Sequence, residues 1–266
     1  MAGTADDREF VQSLARGLAV IQAFGDERPE MTLSEVAAAT GLTRAAARRF
    51  LHTLARLGHV SSDGKRFSLT PRVLSLGYAY LSSLSWWQVA QPHMESVAAK
   101  VHESCSASVL DGTEIVYVSR VPTRRIMTIN LSIGTRLPAF ATSMGRVLLA
   151  ALTPDELDDF FARAELTPLT ERTVTDEAAL RADLARVREQ GYSLVDQELE
   201  TGLRSIAVPI FDRAGQAIAA LNVGSHASRS TNEDLLESVL PELRCAAANI
   251  TASLPAQSHA REQIQD

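Results

Sequence analysis

Arg44, Arg48 and Arg49 recur at helical spacing between Thr43 and Leu57, His52 stands one turn further on, and Lys65 and Arg66 follow the turn signal Asp63-Gly64. Guanidinium, imidazole and ammonium groups share one chemistry: they neutralise phosphate, and arginine forks also read the guanine edge in a major groove. Ala45, Ala46 and Ala47 keep such a helix slim enough to enter that groove. Thr43 is placed to cap the helix, with a phosphate contact as its second use. The plain alternative is a solvated cationic helix face. Its company argues against that alternative. A capping box, Thr32-Leu33-Ser34-Glu35, opens a preceding helix, Thr40-Gly41-Leu42 makes a turn, and a hairpin follows. In this order the segments spell a winged helix-turn-helix between Thr32 and Leu69.

The net charge of −6 by itself argues against a nucleic-acid partner, but its distribution argues the other way. From Thr43 to Arg72 seven basic residues, Arg44, Arg48, Arg49, Arg56, Lys65, Arg66 and Arg72, stand against the single acid Asp63. That stretch carries +6 and the rest of the chain −12. A basic island in an acidic protein is the footprint of a DNA-binding module joined to a domain that stays off DNA. With 266 residues, 45% of them hydrophobic, two cores are expected rather than one.

Other chemistries find less support. Cys105 and Cys245 sit in unrelated segments and make neither a disulfide framework nor a zinc spacing. His226 and Asp196 could exchange a proton, and Arg204 could grip a carboxylate or make a structural ion pair. No nucleophile elbow, phosphate loop or paired metal-ligand spacing frames them. The expectation is a protein that is not an enzyme, with no catalytic residue, no metal and no cofactor. Met1 to Glu9 is short and acidic and lacks an apolar run, so neither signal peptide nor membrane span is expected, and the cytoplasm is the expected compartment.

The elements that must position these residues follow from hydrophobic spacing and caps. A first helix is expected from about Val11 to Phe24, ended by Gly25-Asp26, then a support helix with Leu33, Val36 and Ala37 inward. The Thr43–Leu57 helix buries Phe50, Leu51, Leu54 and Leu57; His59–Ser62 and Lys65–Leu69 then flank a type I′ hairpin turn at Asp63-Gly64. Thr70-Pro71 opens an apolar helix through Leu74, Leu76, Tyr78, Leu81 and Leu84, which either packs on its own domain or pairs with a second copy of the chain. Beyond Ser85 the pattern is mixed. Helices are expected over Trp86–Glu103, Ser143–Leu152, onward from the cap Thr153-Pro154-Asp155-Glu156, over Asp176–Gln190 and from about Asn232 to Ser253. Strands are expected over Cys105–Leu110, Glu114–Val118, Ile126–Ser132, Ser205–Phe211 and Ala217–Gly224. The mixture predicts an α+β fold, an antiparallel sheet covered by helices. Expected boundaries are a DNA-binding domain over 10–70, a linker helix over 71–85, a second domain over 86–254 and a disordered tail over 255–266.

From about Ser13 to Ser253 the chain resembles the IclR family of bacterial transcription regulators. The resemblance rests on Ser13-Leu14-Ala15-Arg16-Gly17-Leu18, on Leu137-Pro138-Ala139-Phe140-Ala141-Thr142-Ser143-Met144-Gly145-Arg146-Val147-Leu148-Leu149-Ala150, and on Gly202-Leu203-Arg204-Ser205-Ile206-Ala207-Val208-Pro209-Ile210-Phe211. It implies a winged helix-turn-helix, a linker helix and a GAF-like effector-binding domain, working as a homodimer or a dimer of dimers on double-stranded DNA. Arg125-Ile126-Met127 and Thr142 to Arg146 are similar to the branch that holds the PcaR and PobR regulators of protocatechuate and 4-hydroxybenzoate catabolism.

The resemblance also implies a cavity for a small organic acid, lined by Ile126, Ser143, Met144, Asp196, Leu203, Ser205, Asn222 and Gly224. A helix N-terminus at Ser143 would offer N–H groups to a carboxylate, and the hydroxyls and amide would give direction inside an apolar cavity. Each also has a structural use: Ser143 as a cap, Asn222 at a strand end, Asp196 as a turn former. The family's glyoxylate and pyruvate sensor has cysteine where Ser205 stands and serine where Asn222 stands. That departure points to a different ligand, an aromatic or β-keto acid, with a regulator of glyoxylate or sugar-acid metabolism and a small-molecule enzyme as the alternatives.

Overall fold

Threonine caps and apolar stripes build the N-terminal unit, Met1–Ser83, of this computed structural model, which describes residues 10–84, 86–123 and 131–254. Helix α1 (Gln12–Gln22) is followed by strand β1 (Glu30–Thr32) and by α2 (Leu33–Thr40). Thr32 and Glu35 exchange hydrogen bonds at the start of α2: Thr32 N–H donates to Glu35 Oε2 at 2.7 Å, and Glu35 N–H to Thr32 Oγ1 at 3.4 Å. Gly41, at φ +65°, turns the chain in a conformation that costs glycine little. Thr43 Oγ1 accepts from Ala46 N–H at 3.2 Å and opens α3 (Arg44–Arg56). The three helices close on Val20, Phe24, Met31, Val36, Ala47, Leu51 and Leu54, with Leu42 packed against them.

The wing is a three-stranded antiparallel sheet ordered β1-β3-β2, with β2 Val60–Ser62 and β3 Arg66–Leu69. The type I′ turn expected at Asp63-Gly64 does not form. Such a turn needs positive φ at both residues, and Asp63 does not have it. Instead Asp63 Oδ1 accepts from the N–H groups of Lys65 and Arg66 at 2.8 and 2.7 Å, and the tip moves to Gly64-Lys65, with Gly64 at φ +96°. A short 3-10 turn (Pro71–Val73) then leads into α4 (Leu74–Ser83), whose Leu74, Leu76, Tyr78 and Tyr80 are exposed.

The second unit, Leu84–Asp266, is α+β. Helix α5 (Trp87–Val101) precedes β4 (Cys105–Asp111), β5 (Glu114–Val121) and β6 (Arg136–Pro138). Then come α6 (Ser143–Ala150), α7 (Pro154–Arg163), α8 (Glu177–Gln190), β7 (Ser193–Asp196), β8 (Leu203–Phe211) and β9 (Ala217–His226). The last helix is interrupted. A turn of α9 (Asn232–Asp234) widens into a π turn over Leu235–Val239 before α10 (Leu240–Ser253), whose second residue, Pro241, has no N–H to give the ladder. The six strands pair antiparallel in the order β6-β5-β4-β9-β8-β7. Helices α5 and α10 pack together against the sheet, and α6 and α8 pack together on its other face, where Ile115, Tyr117, Ala207 and Ala220 meet Met144, Val147 and Leu148. Of the expected strand Ile126–Ser132, residues 126–130 lie outside the described residues, and Leu131 and Ser132 are not in a strand. The expected tail, 255–266, also lies outside them. No helix among the described residues is long and apolar enough to cross a membrane.

Candidate functional site

The N-terminal unit presents its cations along α3. Arg44, Arg48 and His52 follow one another at intervals of four, which puts them in one row, and all are exposed. Arg49 lies about 100° around the helix from Arg48 and lines the groove between α3 and α1 with Ser13, Arg16 and Gly17. Thr43, which caps the helix, is exposed at its start. Lys65 and Arg66 are exposed at the wing tip. Arg66 also neighbours Glu35, whose carboxyl is held below the ordinary range by its hydrogen bonds to Thr32 and, to a smaller extent, by the charges of Arg66 and Arg28.

In the second unit the sequence Thr142-Ser143-Met144-Gly145-Arg146 builds one wall of a cavity. Thr142 Oγ1 accepts from Gly145 N–H at 3.1 Å and starts α6. Gly145 then passes so close to the preceding turn that a Cβ there would stand 2.5 Å from Ala139 Cα. Arg146 is 3% exposed and pinned on several sides. It donates to Glu198 at 2.8 and 2.5 Å, to Asp183 at 3.1 Å and to the Phe140 carbonyl at 2.9 Å. Glu198 in turn accepts from Val174 N–H at 3.0 Å. A buried charge of this kind is tolerable only because it is matched and hydrogen-bonded throughout, and the matching fixes α6 relative to the segment after β7.

The opposite wall is the sheet. Arg120 on β5, Ser106 on β4 and Asn222 on β9 are register partners in one row across three strands. Tyr117 shares their face although it is three residues from Arg120, because β5 carries a bulge: Ala107 pairs with Ser119 and Ser108 with Tyr117, leaving Val118 over. The Val118 carbonyl accepts from the Trp87 indole at 3.1 Å, and Ser119 Oγ donates to Gln91 on α5. The bulge is thus satisfied from the opposite face of the sheet.

Between these walls lies a narrow cleft of about 430 Å³, counted with the space open to solvent at its mouth. Six of the eight positions named from the resemblance line it together: Ser143, Met144, Leu203, Ser205, Asn222 and Gly224. Ile126 lies outside the described residues. Asp196 does not reach the cavity, because Arg204 at 2.5 Å and Arg172 at 2.7 Å hold its carboxylate elsewhere. Arg204 makes the structural ion pair rather than a ligand grip, and His226 turns to Ser228, 2.7 Å from Nδ1. Burial pushes the Asp196 carboxyl up, but its hydrogen bonds from Arg204 and Gln197 and the charges of Arg204 and Arg172 hold it below its ordinary value.

The cavity also takes residues that sequence reasoning missed: Ser104, Ser106, Tyr117, Arg120, Thr142 and Leu199. An alternating Ser104-Cys105-Ser106 was a legible signal for two of them; Arg120 had none, since its face depends on the bulge. Ser143 Oγ is buried with no hydrogen-bond partner among the described residues. The N–H groups of Ser143 and Met144, first in α6, likewise have none among them. Burial pushes the Tyr117 phenol up to about 12, so it stays a neutral donor, and it lowers Arg120 from its ordinary value. The space is more polar than the apolar cavity expected from the sequence: hydroxyls, an amide and a guanidinium share its wall with Leu131, Met144, Leu199 and Leu203, an arrangement suited to binding a small acid, with no nucleophile–base pair among the described lining residues.

Comparison with known proteins decides the family. Residues 13–64 match the model of the IclR helix-turn-helix domain, and residues 78–252 match the model of the bacterial transcriptional regulator IclR C-terminal domain. The chain belongs to the IclR family of transcription regulators. It is 47% identical over 249 residues to the Pca regulon regulatory protein of Pseudomonas putida, covering 93% of this chain and 86% of that one. It superposes with TM-score 0.83 and 56% identity on a candidate transcriptional regulator from Rhodococcus sp. RHA1, covering 92% of this chain and 98% of that one. With TM-score 0.80 and 29% identity it matches an IclR homologue from Microbacterium hydrocarbonoxydans solved in complex with 4-hydroxybenzoate, covering 90% of this chain and 98% of that one. The family and these relatives are transcription regulators, not enzymes.

Proposed function

We propose that this regulator binds operator DNA through α3 and the wing, with Thr43, Arg44, Arg48, Arg49, His52, Lys65 and Arg66 as the contacts, and controls aromatic catabolism in response to a small aromatic carboxylate. The protocatechuate and 4-hydroxybenzoate branch of the β-ketoadipate pathway is the controlled chemistry. The observation that carries the reading is the cavity: Ser143, Met144, Leu203, Ser205, Asn222 and Gly224 converge on one space under the N-terminus of α6. The buried Ser143 hydroxyl there has no partner among the described residues. Two likenesses support the aromatic class, the name of the Pseudomonas relative and the hydroxybenzoate bound by the Microbacterium homologue. The exposed apolar side chains of α4 support its pairing with a second copy, and this linker helix is the lever through which effector binding reaches DNA. The cytoplasm is the matching compartment.

A thermal-shift titration of the full chain with protocatechuate, 4-hydroxybenzoate, β-ketoadipate, glyoxylate and pyruvate tests it. A ligand at 100 times its Kd adds about 2.7 kcal/mol, roughly 5–10 °C for a domain of this size. A saturable rise with an aromatic acid supports the reading; a rise with glyoxylate or pyruvate alone overturns it.

A further inference from the structure

Which group takes the charge of the acid is the question the cavity raises next. Among its described lining residues Arg120 is the one charged side chain, and no carboxylate stands among them. Arg120 is seated rather than loose: Nη1 donates to Ser106 Oγ at 3.1 Å and Nη2 to Ser104 Oγ at 3.4 Å, and both serines also line the cavity. A hydroxyl that accepts from an arginine keeps its own proton to donate. An anion beside this fork would therefore meet a planar guanidinium together with the Ser106 hydroxyl, while Ser104 Oγ also accepts from Thr123 N–H at 3.1 Å and helps hold the arginine. Asn222 continues the same row one strand further on, at the far side of Ser106. Adjacent strands stand about 4.8 Å apart, and the guanidinium reaches across to Ser106, so the Arg120 head and Asn222 flank one space about a strand spacing apart.

We infer that Arg120 is the carboxylate anchor of the cavity, the residue that makes it select acids over their neutral isosteres, with Asn222 beside it as a second polar contact. The inference rests on the aromatic-acid reading above. Its rival is the N-terminus of α6, which could hold the carboxylate by backbone N–H groups alone.

Calorimetric titration of the full chain with 4-hydroxybenzoate, protocatechuate and the neutral isostere 4-hydroxybenzamide separates the possibilities. Loss of a charge-assisted hydrogen bond is expected to weaken acid binding in Arg120→Met by about 10- to 150-fold while leaving the amide within a few-fold, so the preference for acid over amide collapses. Arg120→Lys should recover part of that preference, because it restores the charge without the fork. An unliganded melting transition close to that of the parent chain shows that each variant is folded. If Arg120→Met binds the acids as the parent does, or loses acid and amide alike, the anchor is elsewhere and the inference falls. If the parent chain binds neither 4-hydroxybenzoate nor protocatechuate, the aromatic-acid reading itself falls, and the inference with it.

Discussion

Replacing Gly145 by alanine tests how α6 is held over the cavity. An added Cβ would stand 2.5 Å from the Cα of Ala139 and overlap its carbonyl, where ordinary contact begins near 3.4 Å, so helix and turn must part by about 1 Å. The Ala139 carbonyl accepts from the Thr142 N–H and Oγ1, both at 3.3 Å, and Thr142 caps α6 through Gly145 N–H at 3.1 Å. The displacement thus strains the core and loosens the cap together. Overpacking costs about 1–3 kcal/mol and a lost cap about 1 kcal/mol. The sum, roughly 2–4 kcal/mol, lowers the melting temperature of a unit this size by about 4–15 °C. Because Ser143 and Met144 form one wall of the cavity, affinity for 4-hydroxybenzoate should fall as well. Gly77→Ala is the control: Gly77 lies in α4 with nothing within 4 Å of an added Cβ, and the change should add up to about 1 kcal/mol of helix stability. Differential scanning calorimetry and a binding titration read both. A Gly145→Ala protein that melts within a degree of the parent and binds the acid equally well would refute the close approach as the device that sets the cavity wall.

Glu198→Gln breaks a pair whose side chains are 4% and 10% exposed and should cost about 2–4 kcal/mol in urea unfolding, more than Asp183→Asn, whose carboxylate is 23% exposed; the opposite order would overturn this account of Arg146. Arg48→Ala should weaken operator binding and lower the slope of log K against log salt by about 1, whereas Arg49→Ala, at the α1 groove, should change it less; gel-shift titrations across salt decide. Gly224→Val keeps a strand-compatible backbone but fills the cavity floor, so acid affinity should drop by about 10-fold or more while β9 stays paired, as seen by calorimetry. Asp196→Asn should leave acid affinity unchanged, since Asp196 is off the cavity. Its carboxyl is held below its unfolded value, so it contributes stability above the ordinary carboxylate range and loses it as pH falls. The melting gap between parent and Asp196→Asn should therefore shrink from about pH 6 down to about pH 3, and a gap that widens on acidification would contradict the ion pairs with Arg172 and Arg204.

What was legible in the sequence was local. Thr32 with Glu35, Gly41 and Thr43 mark helix ends by chemistry that acts within a few residues, so the helix-turn-helix could be read before any tertiary contact was known. β1 could not, because the polar-apolar-polar alternation of Glu30-Met31-Thr32 is only three residues long and becomes a strand only by pairing with Ser68 to Arg66. Asp63-Gly64 misled for a related reason: the aspartate spends its carboxylate on two backbone N–H groups and shifts the tip by one residue. In the cavity, Ser143 was readable as the start of a capped helix, while Asp196 was misplaced because an acid beside two arginines distant in sequence has its partners set by the fold. Arg120 shows the limit most sharply. Strand residues three apart face opposite sides of a regular sheet, so Tyr117 and Arg120 should be separated. One unpaired residue, Val118, reverses that parity, and its carbonyl is satisfied by Trp87 from the far side of the sheet. The single charge on the described cavity wall thus depends on an indole donor thirty-one positions from Val118 in the chain, a dependence that no spacing rule applied to β5 alone can express.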